Sequence, residues 1–129
     1  MAQRAFAEMV DPAGQTRSRR PIDLVHLAKQ CLGDENLERE ILRLFDTSLV
    51  TYLERLRLAS SFDDLAINLH SIKGAAAGVG AWTIADLAKA MEQEMRDGRP
   101  LTAEKIDDLG MAIEEARSFI SQILQNSAA

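Results

Sequence analysis

At 129 residues, 47% hydrophobic and 27% charged, the chain has the length and composition of one ordinary globular domain, able to bury a core without staples. Its net charge of −5 argues against a nucleic-acid binder, which normally shows a basic footprint. A single cysteine, Cys31, excludes an internal disulfide framework and a cysteine-rich zinc site, and no apolar run approaches the ~18 residues of a membrane span.

Residues 1–20 stand apart. Arg4, Arg17, Arg19 and Arg20 outnumber Glu8 and Asp11 there, Pro12, Gly14 and Ser18 interrupt them, and no apolar period is sustained. They read as a disordered basic leader to a domain over 21–129, without the continuous apolar stretch of a signal peptide. A first, short helix is expected from Asp23 through DLVHLAKQCL, stopped by Gly33. His26 and Cys31 fall in it and read as structural residues. Asp34 offers the N-cap of a long second helix, whose Leu42, Phe45, Leu49, Leu53 and Leu56 recur at spacings of three and four. Ser61 with Asp64 three residues on is a capping pair for a third helix reaching Val79. Thr83 with Asp86 repeats the pattern for a fourth, with Trp82 and Leu87 at the positions of a hydrophobic staple. That helix ends before Gly98-Arg99-Pro100. Thr102 caps a fifth, striped by Ile106, Leu109, Ile113, Ala116, Ile120 and Ile123. Few aromatics and no β-branched alternation make the chain all-α. Long helices with short links predict an antiparallel four-helix bundle with a short extra N-terminal helix.

Function has to come from the third helix. At about 100° per residue, Leu65, Leu69, Ile72, Ala76 and Val79 form its core face. Asp63, Ala66, Ile67, His70, Lys73, Gly74 and Ala77 lie opposite, so His70 faces solvent with Lys73 one turn away on the same side. Gly74 is the informative residue. A glycine inside an exposed helix costs ~1 kcal/mol against alanine. Facing away from the core, it is not explained by helix packing, which leaves the approach of another body beside His70. Ala66 and Ala77 keep the patch flat, and Ile67 adds an apolar anchor. Gly78 and Gly80 read as the residues that end the helix, and Asn68, near the core flank, has no evident partner. A neutral imidazole nitrogen can attack phosphorus, and a reference pKa of ~6.5 leaves an exposed histidine mostly neutral near pH 7. Lys73 supplies a cation for phosphoryl oxygens.

The segment His70-Ser71-Ile72-Lys73-Gly74-Ala75-Ala76-Ala77-Gly78-Val79-Gly80-Ala81 resembles the signature of histidine-containing phosphotransfer (HPt) domains. Pro21-Ile22-Asp23, Leu42 to Phe45, and Leu87-Ala88-Lys89-Ala90-Met91-Glu92 resemble flanking segments of the same family, which extends the likeness over about residues 21–125. The resemblance implies that His70 accepts a phosphoryl group from the aspartyl phosphate of a receiver domain and passes it to another receiver. The expected partners are receiver domains of hybrid histidine kinases and response regulators. Lys73 would help hold the phosphoryl group and Gly74 would leave room for the receiver. Glu92, twenty-two positions after His70, matches a residue that hydrogen-bonds the other ring nitrogen in many members. The residues agree independently. With Ile84, Leu87, Ala88 and Met91 as the core stripe of the fourth helix, Glu92 sits at its edge, within reach of a neighbouring helix. Such a bond would fix the tautomer and leave Nε2 as nucleophile. Ser71-Ile72 is similar to the phosphotransfer domains of chemotaxis kinases, although Lys89 stands where those usually show histidine.

No glycine-rich nucleotide loop follows, so ATP-dependent kinase activity is not expected, and no cofactor is implied. Magnesium would belong to the receiver, not to this chain. The absence of Glu-x-x-His pairs leaves a di-metal bundle unsupported. The expectation is a cytoplasmic, monomeric phosphoryl carrier that binds neither membrane nor nucleic acid. Its rivals are a non-catalytic adaptor that binds or sequesters a response regulator, and a helix-turn-helix DNA binder, against which the acidic charge of residues 21–129 argues.

Overall fold

The computed structural model describes residues 19–127, and every regular element among them is helical. These are α1 (Leu24–Gln30), α2 (Glu35–Leu58), α3 (Phe62–Val79), α4 (Trp82–Arg96) and α5 (Ala103–Ser127). Most of the expected leader, residues 1–18, lies outside the described residues. Arg19, at its end, pairs with Asp86 of α4 at 3.0 Å.

Local side-chain chemistry sets most helix starts. Asp23, Asp34 and Ser61 each accept a hydrogen bond from the amide three residues on, at 3.1 Å, and Thr102 accepts one from Lys105 at 3.2 Å. Each such cap is worth about 0.5–2 kcal/mol. Two expected boundaries move. The first helix stops at Gln30, short of Gly33, because Leu32 already lies in the left-handed region with φ of 53° and Gly33 follows at 78°. The fourth helix starts at Trp82 on an Ala81 cap without a side-chain bond, so Thr83 is not its cap and Trp82 is its first residue, not the one before the cap. Gly80 turns left-handed there, and the Ala81 amide closes back on the Ala76 carbonyl at 2.8 Å. The next helix begins at once, with the Ala85 amide bonding to the Ala81 carbonyl at 3.0 Å, and no extended residue remains at position 83.

The four long helices touch in a ring: α3 packs most extensively on α4 and α2, and both of these reach α5. The expected stripes point inward. Leu42, Leu49 and Leu56 of α2, Leu69, Ile72 and Ala76 of α3, Ile84 and Ala88 of α4, and Leu109, Ile113 and Ile120 of α5 are all essentially buried. Leu53, Leu65, Ile106 and Ile123, at the stripe edges, are only partly so. Cys31 is buried in this core, which pushes its thiol pKa up. Two ion pairs join α2 to α5, Arg57 to Asp107 and Arg117 to Asp46, each at 2.9 Å. Gly110 lies beneath the first, where a Cβ would come within 2.8 Å of the Arg57 guanidinium.

Asp23 ties α1 to the α3–α4 turn. Its amide donates to the Gly80 carbonyl at 2.9 Å, and its carboxylate accepts from the His26 amide and, at 2.9 Å, from the Trp82 indole. The half-buried His26 ring stands edge-on to Trp82, centroids 4.9 Å apart, which fits the structural role expected of it. Gly80 has φ of +83°, and a Cβ there would lie 2.9 Å from that of Asp23. Only glycine suits that turn.

The Trp82 indole N–H and then the His26 amide hold the Asp23 carboxyl below its ordinary pKa. A folded value below the unfolded one stabilises above the unfolded carboxylate pKa of ~3.9, and that stability is lost as pH falls through the folded value. Asp23→Ala is therefore expected to lose about 1–3 kcal/mol at neutral pH. Its deficit against the parent should narrow in acid, a difference that denaturant titrations at pH 7 and pH 3 would measure.

Candidate functional site

The link between α3 and α4 is only Gly80 and Ala81, so residues equidistant from it come face to face. His70 lies ten residues before Gly80 and Glu92 eleven after Ala81, which gives the twenty-two-residue spacing its physical meaning. His70 Nδ1 stands 3.4 Å from Glu92 Oε2, and the ring is exposed, with 73% of its side-chain surface accessible. Lys73 Nζ stands 2.7 Å from Glu92 Oε1. The sequence-predicted trio of His70, Lys73 and Glu92 thus meets around one carboxylate.

Glu92 departs from the ordinary surface glutamate. At 8% exposure it is the only buried charged residue among the described residues. A carboxylate out of water needs a counter-charge, and Lys73 provides it. The contact is chiefly ionic. Although the ammonium is close, Oε1 accepts no well-directed hydrogen bond from the protein. The 3.4 Å contact to the imidazole is likewise long for a hydrogen bond. The carboxylate therefore reaches both groups and is saturated by neither. It can orient the ring by accepting from Nδ1–H, which leaves Nε2 free.

The expected docking residues divide along the helix surface. Steps of i−4, i+3 and i+7 from His70 place Ala66, Lys73 and Ala77 on one side of it, where α4 packs, and both alanines are half-buried against the core. Steps of i−3, i+4 and i+8 place Ile67, Gly74 and Gly78 on the other. Ile67 is 63% exposed, and a Cβ at Gly74 or Gly78 would meet nothing within 4 Å. Gly80 does end the helix, as expected, but Gly78 lies inside its last turn and extends the open strip. The signal for it was its i+4 spacing from Gly74. Asn68 finds its partner in the Asp64 carbonyl one turn earlier, at 2.8 Å. Lys89 is exposed on α4. The apolar depression lined by Leu24, Val25, Ala28, Lys29, Leu32 and Gly33 lies on α1 and shares no residue with this cluster. No helix among the described residues is long and apolar enough to cross a membrane.

A family model described as Hpt domain matches residues 40–119, which hold His70, Lys73, Gly74 and Glu92. The fold is similar to the crystal structure of the HPT domain from a sensor hybrid histidine kinase of Shewanella. The TM-score is 0.73 at 20% sequence identity, over 84% of this chain and 97% of that one. Among curated proteins, none matches. The family match covers well over half of the sequence, and the chain belongs to the Hpt domain family, whose members have a phosphotransfer role in two-component signalling.

Proposed function

We propose that this protein accepts a phosphoryl group on His70 from the aspartyl phosphate of one receiver domain and passes it to the aspartate of another. The observation that carries this reading is the exposed His70 beside a buried Glu92 that also holds Lys73, next to the open surface at Gly74. In the forward step the Nε2 lone pair forms the N–P bond, the aspartyl P–O bond breaks, and the carboxylate leaves with the electron pair. Glu92 positions the ring by accepting from Nδ1–H. Lys73 holds the phosphoryl oxygens. No cofactor of this chain is required, since the receiver supplies the magnesium, and ATP is not the donor. The carrier acts as a monomer in the cytoplasm, on an antiparallel four-helix bundle, a topology supported by the ring of contacts among α2, α3, α4 and α5.

The receiver lies across Ala66, Ile67, Gly74 and Ala77, with Gly78 lengthening the flat part of the platform. Ile67 is its apolar anchor, and the glycines let the receiver's backbone come close enough to bring its aspartate in line with Nε2.

His70→Gln is expected to fold as the parent does and to take no label from a phosphorylated receiver, read by radiolabelled transfer and acid lability. Label retained in that variant would move the acceptor elsewhere. A parent that binds the receiver but never becomes labelled would instead be an adaptor.

Gly74→Leu separates docking from chemistry. Open space above Gly74 and the poor helix propensity of glycine predict unchanged or higher thermal stability, by up to ~1 kcal/mol. Receiver-dependent transfer should fall by orders of magnitude, while phosphorylation by the small donor phosphoramidate persists. Gly80→Ala is the contrasting control, expected to destabilise the fold through Asp23. Parental transfer rates in Gly74→Leu would overturn the docking geometry.

A further inference from the structure

We propose that Lys73 changes partners when His70 is phosphorylated. Glu92 holds it in the free protein, and the positive charge that phosphorylation creates on the imidazole replaces it there, freeing the ammonium for the phosphoryl group. This inference rests on the reading of His70 as phosphoacceptor and concerns how charge is distributed around it.

The argument starts from one buried anion and two neighbouring nitrogen groups. With the imidazole uncharged, Lys73 is the cation that compensates Glu92, at 2.7 Å against 3.4 Å for the ring. Removing it without replacement would strand a buried carboxylate, which is strongly unfavourable. An ammonium shared with that carboxylate is only partly available to a phosphoryl group. Transfer itself resolves the conflict. When the Nε2 lone pair forms the N–P bond and the donor's P–O bond breaks, Nδ1 keeps its proton and the ring acquires a positive charge. The carboxylate then has a second cation already in contact range, and the dianionic phosphoryl group attracts the lysine more strongly than one carboxylate does. The pairing that leaves no buried charge stranded is imidazolium to Glu92 and ammonium to phosphoryl.

Three features suit Lys73 to such an exchange. Its side chain retains 30% of its exposure, so the ammonium is not enclosed with Glu92. Oε1 accepts no well-directed hydrogen bond, so the pair in the free protein is held by charge and not locked by geometry. Lys73 also follows His70 by one helical turn on the same side of α3, which puts both possible partners within the sweep of its stem. In the reverse direction, loss of the phosphoryl group removes the ring's charge and returns the lysine to Glu92. The exchange is thus reversible along with transfer.

The test uses the full chain, with lysine ammonium groups observed by nitrogen-15 NMR before and after treatment with phosphoramidate. In that reaction the donor's P–N bond breaks and ammonia leaves. Lys73→Met assigns the Lys73 signal, and phosphorus-31 spectra report the phosphohistidine. In the free protein, Glu92→Gln should move the Lys73 signal. In the phosphorylated protein the signal should have moved already, and the further effect of Glu92→Gln should be at least several-fold smaller. If Glu92→Gln fails to fold, Glu92→Asp draws the carboxylate back by one methylene and asks the same question. A Lys73 signal that depends on residue 92 equally in both states overturns the exchange and leaves the phosphoacceptor reading intact. A parent protein that forms no phosphohistidine at His70 overturns both.

Discussion

A carboxylate buried at the edge of α4 imposes the tightest constraint on this molecule. Positive charge beside Glu92 offsets the cost of its burial, and α3 is the element whose side chains meet it. His70 and Lys73 occupy one turn of that helix, so a single carboxylate fixes the relation between a candidate nucleophile and a candidate anion-holding group. That relation in turn depends on register. A slip of one residue between α3 and α4 would rotate Glu92 by about 100° away from both. The two-residue link prevents it. Gly80 and Ala81 leave no slack, and Asp23 fastens the turn from outside by bonding the Gly80 carbonyl and the Trp82 indole together. The short first helix is thereby part of the site's support although it contributes no side chain to it.

How much was legible in the sequence follows from how local each determinant is. The caps at Asp34, Ser61 and Thr102 were readable because a cap is a bond to an amide three residues away. The core stripes were readable because helical periodicity is a property of the segment itself. The cap of the fourth helix was misplaced by two residues, at Thr83 and not Ala81, because the turn before it is decided by backbone bonds from Gly80 and Ala81 into α3, which outweigh the capping tendency of Thr83. Leu32 in a left-handed conformation was equally invisible, since Gly33 was the natural place to expect it.

The site divides in the same way. Exposure of His70 followed from the wheel of one helix. Glu92 could be placed at a stripe edge, but its burial depends on how closely α3 and α4 approach, and no pattern within α4 contains that information. Lys73 shows the difference most clearly. Resemblance assigned it to the phosphoryl group, whereas the geometry of the free protein pairs it with Glu92. The proposed exchange reconciles the two assignments, because the carboxylate stands within reach of either cation.

The glycines show where stability was set aside. Gly80 has a positive φ and sits where a side chain would strike Asp23, so the turn itself accounts for it, and at Gly110 a Cβ would press on the flexible end of Arg57. Gly74 and Gly78 sit over open space, where alanine would improve the helix by about 1 kcal/mol each. No contact within the described residues requires either one. They share a side of α3 with Ile67, a large apolar residue that the fold also leaves uncovered. Each feature is unfavourable for an isolated helix, and all three flank the same histidine. A surface that gives up helix propensity and exposes apolar area on one strip has the properties of an interface: a close backbone approach at the glycines and an apolar contact at the isoleucine. The proposed transfer from a receiver needs a second macromolecule to approach His70. The strip beside it is where that molecule can come nearest without displacing any side chain of this one.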